Sequence, residues 1–287
     1  MASKPTNNFP RRFVFHGNAV GAEVFLTRIG KVERRIVNPV SGQSSLPVIG
    51  GLSESAVDDP DLRDELAEVF SYRGARTKAE GVFEGEDAVT TVEASVNDVR
   101  VTNRPTPEES DDPAPIEFRA RALSLSMRST HTPKGQPRIE FAGTPRFEDM
   151  LLNGQPIVPE LNTELMQLAR WKDLVKRFRT NRAFFDSCPF GLTNSKRPMA
   201  FGQDIPYTVG SYALCSFVRS INWGGRIIPG HVLRQPGFGA IYFGEILLND
   251  HERRVTMVRM QLGSQYCGQA VFAENAPNGI WIPPRTT

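Results

Sequence analysis

The sequence predicts a mainly β protein of packed or rolled antiparallel or mixed sheets, with one amphipathic helix at about residues 162–180. Three observations predict it. Between Val89 and Ile157 apolar residues recur at every second position, the period of a strand with one buried face. From Asn162 to about Phe178 they recur at helical spacing, and after Tyr207 the two-residue period returns almost to the end of the chain. The expected organisation is an arm over residues 1–10 that forms no packed structure, then one β-rich domain over 11–287 with a helical insertion at 160–187.

The elements follow in order. Phe13 to Leu26 reads as strand, glycine-rich bend, strand, with Gly17 and Gly21 marking a bulge or a close backbone approach. Ser41 to Gly51 reads as a loop with a short apolar anchor. Asp61 to Phe70 can form a short helix, with Leu62, Leu66 and Val69 on one face and Asp59 or Asp61 as its cap. Val92, Ala94 and Val96 alternate until Asn97-Asp98 shifts the phase to Val99 and Val101; Phe118, Ala120 and Ala122 alternate until the phase shifts to Leu123, Leu125 and Met127. A phase shift of one residue moves an apolar set to the other sheet face unless a bulge absorbs it. Two copies of this echo are too few for a solenoid. Pro105 to Pro115, with Glu108, Glu109, Asp111 and Asp112, reads as a solvated linker.

Asn162 or Thr163 can cap the helix, whose apolar stripe is Leu165, Leu168, Trp171, Leu174, Val175 and Phe178. Arg170, Lys172, Lys176, Arg177, Arg179 and Arg182 occupy its remaining surface, against one acid, Asp173. Cys188-Pro189 ends it. Beyond Tyr207, four strands are expected at Ala213–Phe217, Gly239–Leu248, Arg254–Leu262 and Ala270–Phe272, with Asn249 to Glu252 as the turn between the second and third.

A chain of 287 residues buries roughly 75% of its unfolded surface and needs no covalent staple. Charged residues at 23% and hydrophobic ones at 39% mark a globular chain. A net charge of +2 is too small to imply nucleic acid or membrane by itself. Met1 to Pro10 carries no apolar core of a secretory signal, and no run of about 18 apolar residues exists. Cys188, Cys215 and Cys267 form neither a C-x-x-C pair nor a zinc spacing with His16, His131, His231 or His251. A cytoplasmic protein with reduced thiols, no cofactor and no metal is the expectation.

Gly143 to Ile157, which contains Phe147-Glu148-Asp149-Met150-Leu151-Leu152-Asn153-Gly154-Gln155-Pro156-Ile157, resembles the F-x-N-L-x-V-N-G-x-P-V motif of β-rich bacterial proteins of the choice-of-anchor class. Gly237-Phe238-Gly239-Ala240-Ile241-Tyr242-Phe243-Gly244-Glu245 is similar to a second element of that class. The resemblance covers about half the chain. It implies a bacterial β fold and no known chemistry. The basic helix stands between the two motif regions as an insertion.

Three functions are weighed on the residues. The first is a non-catalytic structural or interaction protein able to self-associate, because scaffold motifs dominate. The second is a hydrolase- or lyase-type enzyme using histidine and carboxylate near the Gly-rich turns; His16, His131 and Glu245 are its first residues to test. The Asp250-His251-Glu252 group and the Gln265-Tyr266-Cys267-Gly268 segment are explained more simply by a turn and by a structural cysteine. The third is binding of an anionic polymer or acidic protein through Arg170, Lys172, Lys176, Arg177, Arg179 and Arg182.

Overall fold

The computed structural model describes residues 12–29, 32–58, 60, 62, 64–105, 114–188, 191–192, 200–202, 213–249 and 252–282. In chain order, β1 (Arg12–Ile29) and β2 (Val32–Ser45) form a long hairpin, followed by β3 (Gly51–Asp58), the one-turn helix α1 (Asp64–Ala67) and β4 (Phe70–Ser71). The strands β5 (Gly74–Glu84), β6 (Asp87–Asn103) and β7 (Ile116–His131) come next, then the short β8 (Arg138–Phe141), β9 (Arg146–Glu148), β10 (Met150–Leu152) and β11 (Gln155–Leu161). Helices α2 (Thr163–Gln167), α3 (Trp171–Thr180) and α4 (Arg182–Ser187) interrupt the strands. The remainder is β12 (Gly191–Leu192), β13 (Ala213–Ser216), β14 (Val218–Trp223), β15 (Arg226–Pro229), β16 (Val232–Gln235), β17 (Gly239–Leu248), β18 (Arg253–Leu262) and β19 (Tyr266–Ile282).

These strands form two antiparallel sheets, so the predicted class is the observed one. The first sheet runs β12-β13-β17-β18-β19-β1-β2, with β16 also on β17. The second runs β15-β14-β11-β10-β7-β6-β5-β3, with β4 on β6 and β8 and β9 on β7. They pack face to face. A Cβ on Gly17 of β1 would come within 2.9 Å of Thr90 Cγ2 on β6, and one on Gly21 within 2.7 Å of Ala75 Cβ on β5. Both positions lie inside one continuous strand, so of the two readings of these glycines, close approach is the one realised. The interior is filled by fully buried aromatics from both sheets, including Phe15 and Phe272 on one side and Phe70 and Phe118 on the other. Phe70 meets Phe272 across the interface with ring centroids 5.5 Å apart. Asn275 on β19 reaches across and donates from Nδ2 to the carbonyls of Val92 at 3.3 Å and Leu125 at 2.8 Å.

The two phase shifts of the central region are one event. Asn97 pairs with Ala122 and Val99 with Ala120, so the Asn97-Asp98 shift on β6 and the shift near Ala122 on β7 face each other. Asp98 takes φ +51. That kink returns Val99 and Val101 to the same buried face as Val92 and Val96, and the apolar set never crosses to the outer face.

The helix predicted over 162–180 is broken into two, α2 and α3, and α4 follows beyond it. Asn162 caps as expected: its Oδ1 accepts the Leu165 N–H at 3.0 Å. The break follows because Ile139 of β8 donates its N–H to the Ala169 carbonyl at 2.9 Å, and the Arg253 guanidinium donates to the Leu168 carbonyl. Anchoring those two carbonyls to the sheets takes them out of a helical ladder. Leu165, Leu174 and Phe178 of the predicted stripe are buried, while Trp171 and Leu168 are partly buried against the core. The short helix predicted over 61–70 is α1, with Leu66 and Val69 buried; its proposed caps lie outside the described residues, as do the arm and the acidic part of the linker. The last predicted strand, 270–272, is the centre of a strand of 17 residues. Strands β14 to β16, joined by the Gly224-Gly225 and Gly230 turns, were not predicted.

Candidate functional site

The cations of the basic helix face sit in different surroundings. Arg177 is ion-paired with Glu164 of α2, and its guanidinium lies 5.9 Å from the Phe184 ring centroid. Arg182 donates its Nε–H to both carboxylate oxygens of Asp186, at 2.7 and 2.9 Å, and sits over Phe201. Lys172, Lys176 and Arg179 are exposed at i, i+4 and i+7 along α3, which stacks three like charges on one stripe. The stripe borders a shallow cleft of about 460 Å³, lined also by the half-buried Trp171 and Val175 and by Thr180 and Gly202. Arg170 is exposed at the N-terminal end of α3, which has no side-chain cap. Arg170 and Lys172 therefore lie at the positive end of the helix dipole, where a cation costs stability.

The residues proposed for acid–base chemistry are placed in different surroundings. His16 is exposed on β1 with its Nε2 3.2 Å from Asn18 Nδ2. His131 is buried at the end of β7, its ring 5.2 Å from that of Phe13, and its carbonyl accepts the Trp281 indole N–H at 3.2 Å. Glu245 lies on β17, three strands from β1 in the first sheet, roughly 14 Å away by strand spacing alone. The structure does not bring the three together. His251 and Asp250 lie outside the described residues, while Asn249 caps its turn as expected by accepting the Glu252 N–H at 2.7 Å.

The histidine that does meet Glu245 is His231, with Nε2 3.8 Å from Oε1. Arg259 grips the same carboxylate through Nε at 2.6 Å and an Nη at 2.9 Å. Its guanidinium stacks on Tyr242, 3.8 Å from the ring centroid, because Tyr242 and Arg259 are cross-strand partners. Sequence reasoning missed this cluster; the signal was the alternation Tyr242…Glu245 facing Arg259 across the Asn249 turn. Burial disfavours the Glu245 carboxylate, yet hydrogen bonds from His231 and Arg259 and their charges outweigh it and hold its pKa below the usual range. A depressed carboxyl pKa contributes stability above the ordinary glutamate range that is lost as pH falls through the folded value. A carboxylate so held is a weak proton acceptor near neutrality.

Two strands from β17, on β19, Glu274 behaves oppositely. Burial raises its pKa, with Glu23 and Glu252 adding to the rise, although Thr256 Oγ1 donates to it at 2.8 Å and Arg254 lies nearby. A raised carboxyl pKa means the folded state binds the proton more tightly than the unfolded one. The ionised group therefore costs stability at neutral pH, and the cost vanishes as pH falls through the folded and then the unfolded value. Glu274→Gln is expected to raise the urea midpoint at pH 7 and to leave it unchanged at a pH low enough to protonate both forms. Glu245→Gln is expected to lower the midpoint at pH 7 and to flatten the acid limb. Urea melts of both variants across the acid range check the opposed signs.

The thiols are all free. Burial pushes Cys188 up to about 12 and Cys215 well above its ordinary value. Cys267 is half-buried and its thiol donates to the Ser264 carbonyl at 3.3 Å. Among the described residues no group of three or more histidine, cysteine, aspartate or glutamate side chains is placed to hold a metal ion. Among the same residues no helix is long and apolar enough to cross a membrane.

Fold and site together define a two-sheet β protein with a helical excursion that carries an exposed cationic stripe. Residues 13–198 match the model of a family described as a domain of unknown function, DUF8256, and the chain belongs to that family. The match takes in the hairpin β1–β2, the strands β3 to β11 of the second sheet and all of α2 to α4, and leaves out β14 and β15. No curated protein and no solved structure matches the chain.

Proposed function

We propose that the protein is a non-catalytic interaction protein that holds an acidic segment of a partner protein against the cationic stripe of α3. The observation that carries this reading is the stripe itself: Lys172, Lys176 and Arg179 are exposed beside a cleft with an apolar wall of Trp171 and Val175. Like charges at these spacings cost an isolated helix about 0.2–0.5 kcal/mol per pair, and a bound anionic chain relieves that cost. The aromatic wall favours a polypeptide with an apolar anchor among its acids over a uniformly charged polymer, since buried aromatics carry most interface energy. Retained reduced thiols fit a cytoplasmic setting for this partnership.

The test is retention on immobilised poly-L-glutamate in a salt gradient. The K172Q/K176Q/R179Q protein is expected to elute earlier than wild type, while R177Q/R182Q, which removes the locally paired arginines, shifts less. Equal elution of wild type and K172Q/K176Q/R179Q, or a larger shift from R177Q/R182Q, contradicts the assignment.

A further inference from the structure

A second concavity lies elsewhere, on the outer face of the second sheet. It is a groove of about 840 Å³ whose floor is β5, β6 and β7, with β3 on one rim and the segment Gly143 to Arg146 on the other. Its chemistry follows from strand register. Arg76 pairs with Ser95, Ser95 with Ser124, and Ser124 with Arg146. One row across the sheet therefore reads arginine, serine, serine, arginine, with the arginines on opposite sides of two half-buried hydroxyl residues. The Cα positions of Arg76 and Arg146 are separated by three strand spacings, roughly 14 Å. The next row reads Glu54, Lys78, Glu93, Ser126, two residues along the strands and so roughly 7 Å away.

The two arginines are exposed, with side chains at 69% and 65% of full accessibility. Their carboxylate neighbours differ: the exposed Asp58 lies 3.7 Å from Arg76, while Glu148, largely buried, pairs with both Arg146 and Arg121. The exposed Arg76–Asp58 pair contributes little, so a ligand anion can replace Asp58 at small cost, and the exposed Arg146 guanidinium has N–H donors beyond those that Glu148 accepts. Guanidinium forks match a carboxylate bidentately. Glu54 and Glu93 accept hydrogen bonds and donate none. They repel a second anion one row away and suit hydroxyl donors there, and Ser126 offers both roles.

We infer that this groove binds an acidic oligosaccharide, whose sugar carboxylate lies over Ser95 and Ser124 between Arg76 and Arg146 and whose ring hydroxyls meet the row of Glu54, Lys78, Glu93 and Ser126. One negative charge beside several hydroxyls, repeated at the breadth of a pyranose ring, is the pattern the two rows complement. A chain of closely spaced phosphates is not, because Glu54 and Glu93 oppose it. The site is distinct from the α3 stripe and does not depend on it.

Isothermal titration of the full-length protein with tri-galacturonic acid tests the inference, with the neutral trisaccharide of galactose and inorganic phosphate as the comparison ligands. The acidic trisaccharide is expected to bind about tenfold or more tighter than the neutral one, as charge-assisted hydrogen bonds imply, and tighter than phosphate by a similar factor. R76Q/R146Q, checked for an unchanged circular dichroism spectrum, is expected to lose that preference, and K172Q/K176Q/R179Q to keep it. Indifference between acidic and neutral trisaccharides overturns the assignment, as does no binding of either. Phosphate binding as tightly as tri-galacturonic acid, or an undiminished preference in R76Q/R146Q, overturns it as well.

Discussion

Asn103→Ala is expected to destabilise the protein by about 3–5 kcal/mol, because one side chain satisfies backbone groups of two separate turns. Asn103 is fully buried at the end of β6. Its Nδ2 donates to the carbonyls of Phe238 and Tyr266, each at 3.0 Å, and to that of Gly263. Its Oδ1 accepts the N–H groups of Tyr266 at 3.1 Å and Arg104 at 2.8 Å. The amide thus ties the last residue of a strand in one sheet to the turns before β17 and β19 in the other. Removing it orphans several backbone groups, and each buried orphan costs about 1–3 kcal/mol. Asn103→Asp keeps the acceptor but turns a carboxylate toward carbonyl oxygens, so at neutral pH it is expected to be no better than alanine. Urea melts with unchanged m-values report the difference. A loss below about 1 kcal/mol, the net worth of a single hydrogen bond, would mean these turns are held by something else.

Phe272→Ala is the second large effect, at about 3–5 kcal/mol. Phe272 is fully buried in the middle of β19 and faces Phe70 across the inter-sheet space. The loss combines the transfer free energy of the ring with a cavity that two paired sheets cannot close by shifting. A double-mutant cycle with Phe70→Ala is expected to give a coupling of about 0.5–1.5 kcal/mol, the size of an aromatic pair beyond its area. Additive losses would place the two rings in separate parts of the core.

The residues that made the fold legible are those with one strong period. Val92 to Val101 and Phe118 to Met127 announce strands because their alternation reports one buried face. Their phase shifts looked like a repeat, since the sequence cannot show that Asp98 and Ala122 are at the same level of neighbouring strands; that is information about pairing. The helix was legible from Leu165, Leu174 and Phe178, but the break between α2 and α3 was not, because it depends on Ile139 and Arg253 reaching Ala169 and Leu168 from distant strands. The same limit governs the sites. The α3 cations are local in sequence and were visible at once. That Arg177 pairs with Glu164 and Arg182 with Asp186 was visible only once those acids had positions. The row of Arg76, Ser95, Ser124 and Arg146, and the grip of Arg259 on Glu245, assemble residues from separate strands, and register decides them.

The claim at the centre of this account is that α3 is a contact face for an anionic partner chain. The most direct measurement is the salt dependence of binding to a fluorescently labelled acidic peptide with a single phenylalanine, followed by anisotropy in wild type and K172Q/K176Q/R179Q. Each cation that contacts the peptide releases counterions, so the plot of log affinity against log salt is expected to be shallower in the variant, by up to about 2 if each lost contact counts as it does on a single-stranded polyelectrolyte. Equal slopes for the two proteins, with both folded, would contradict the claim.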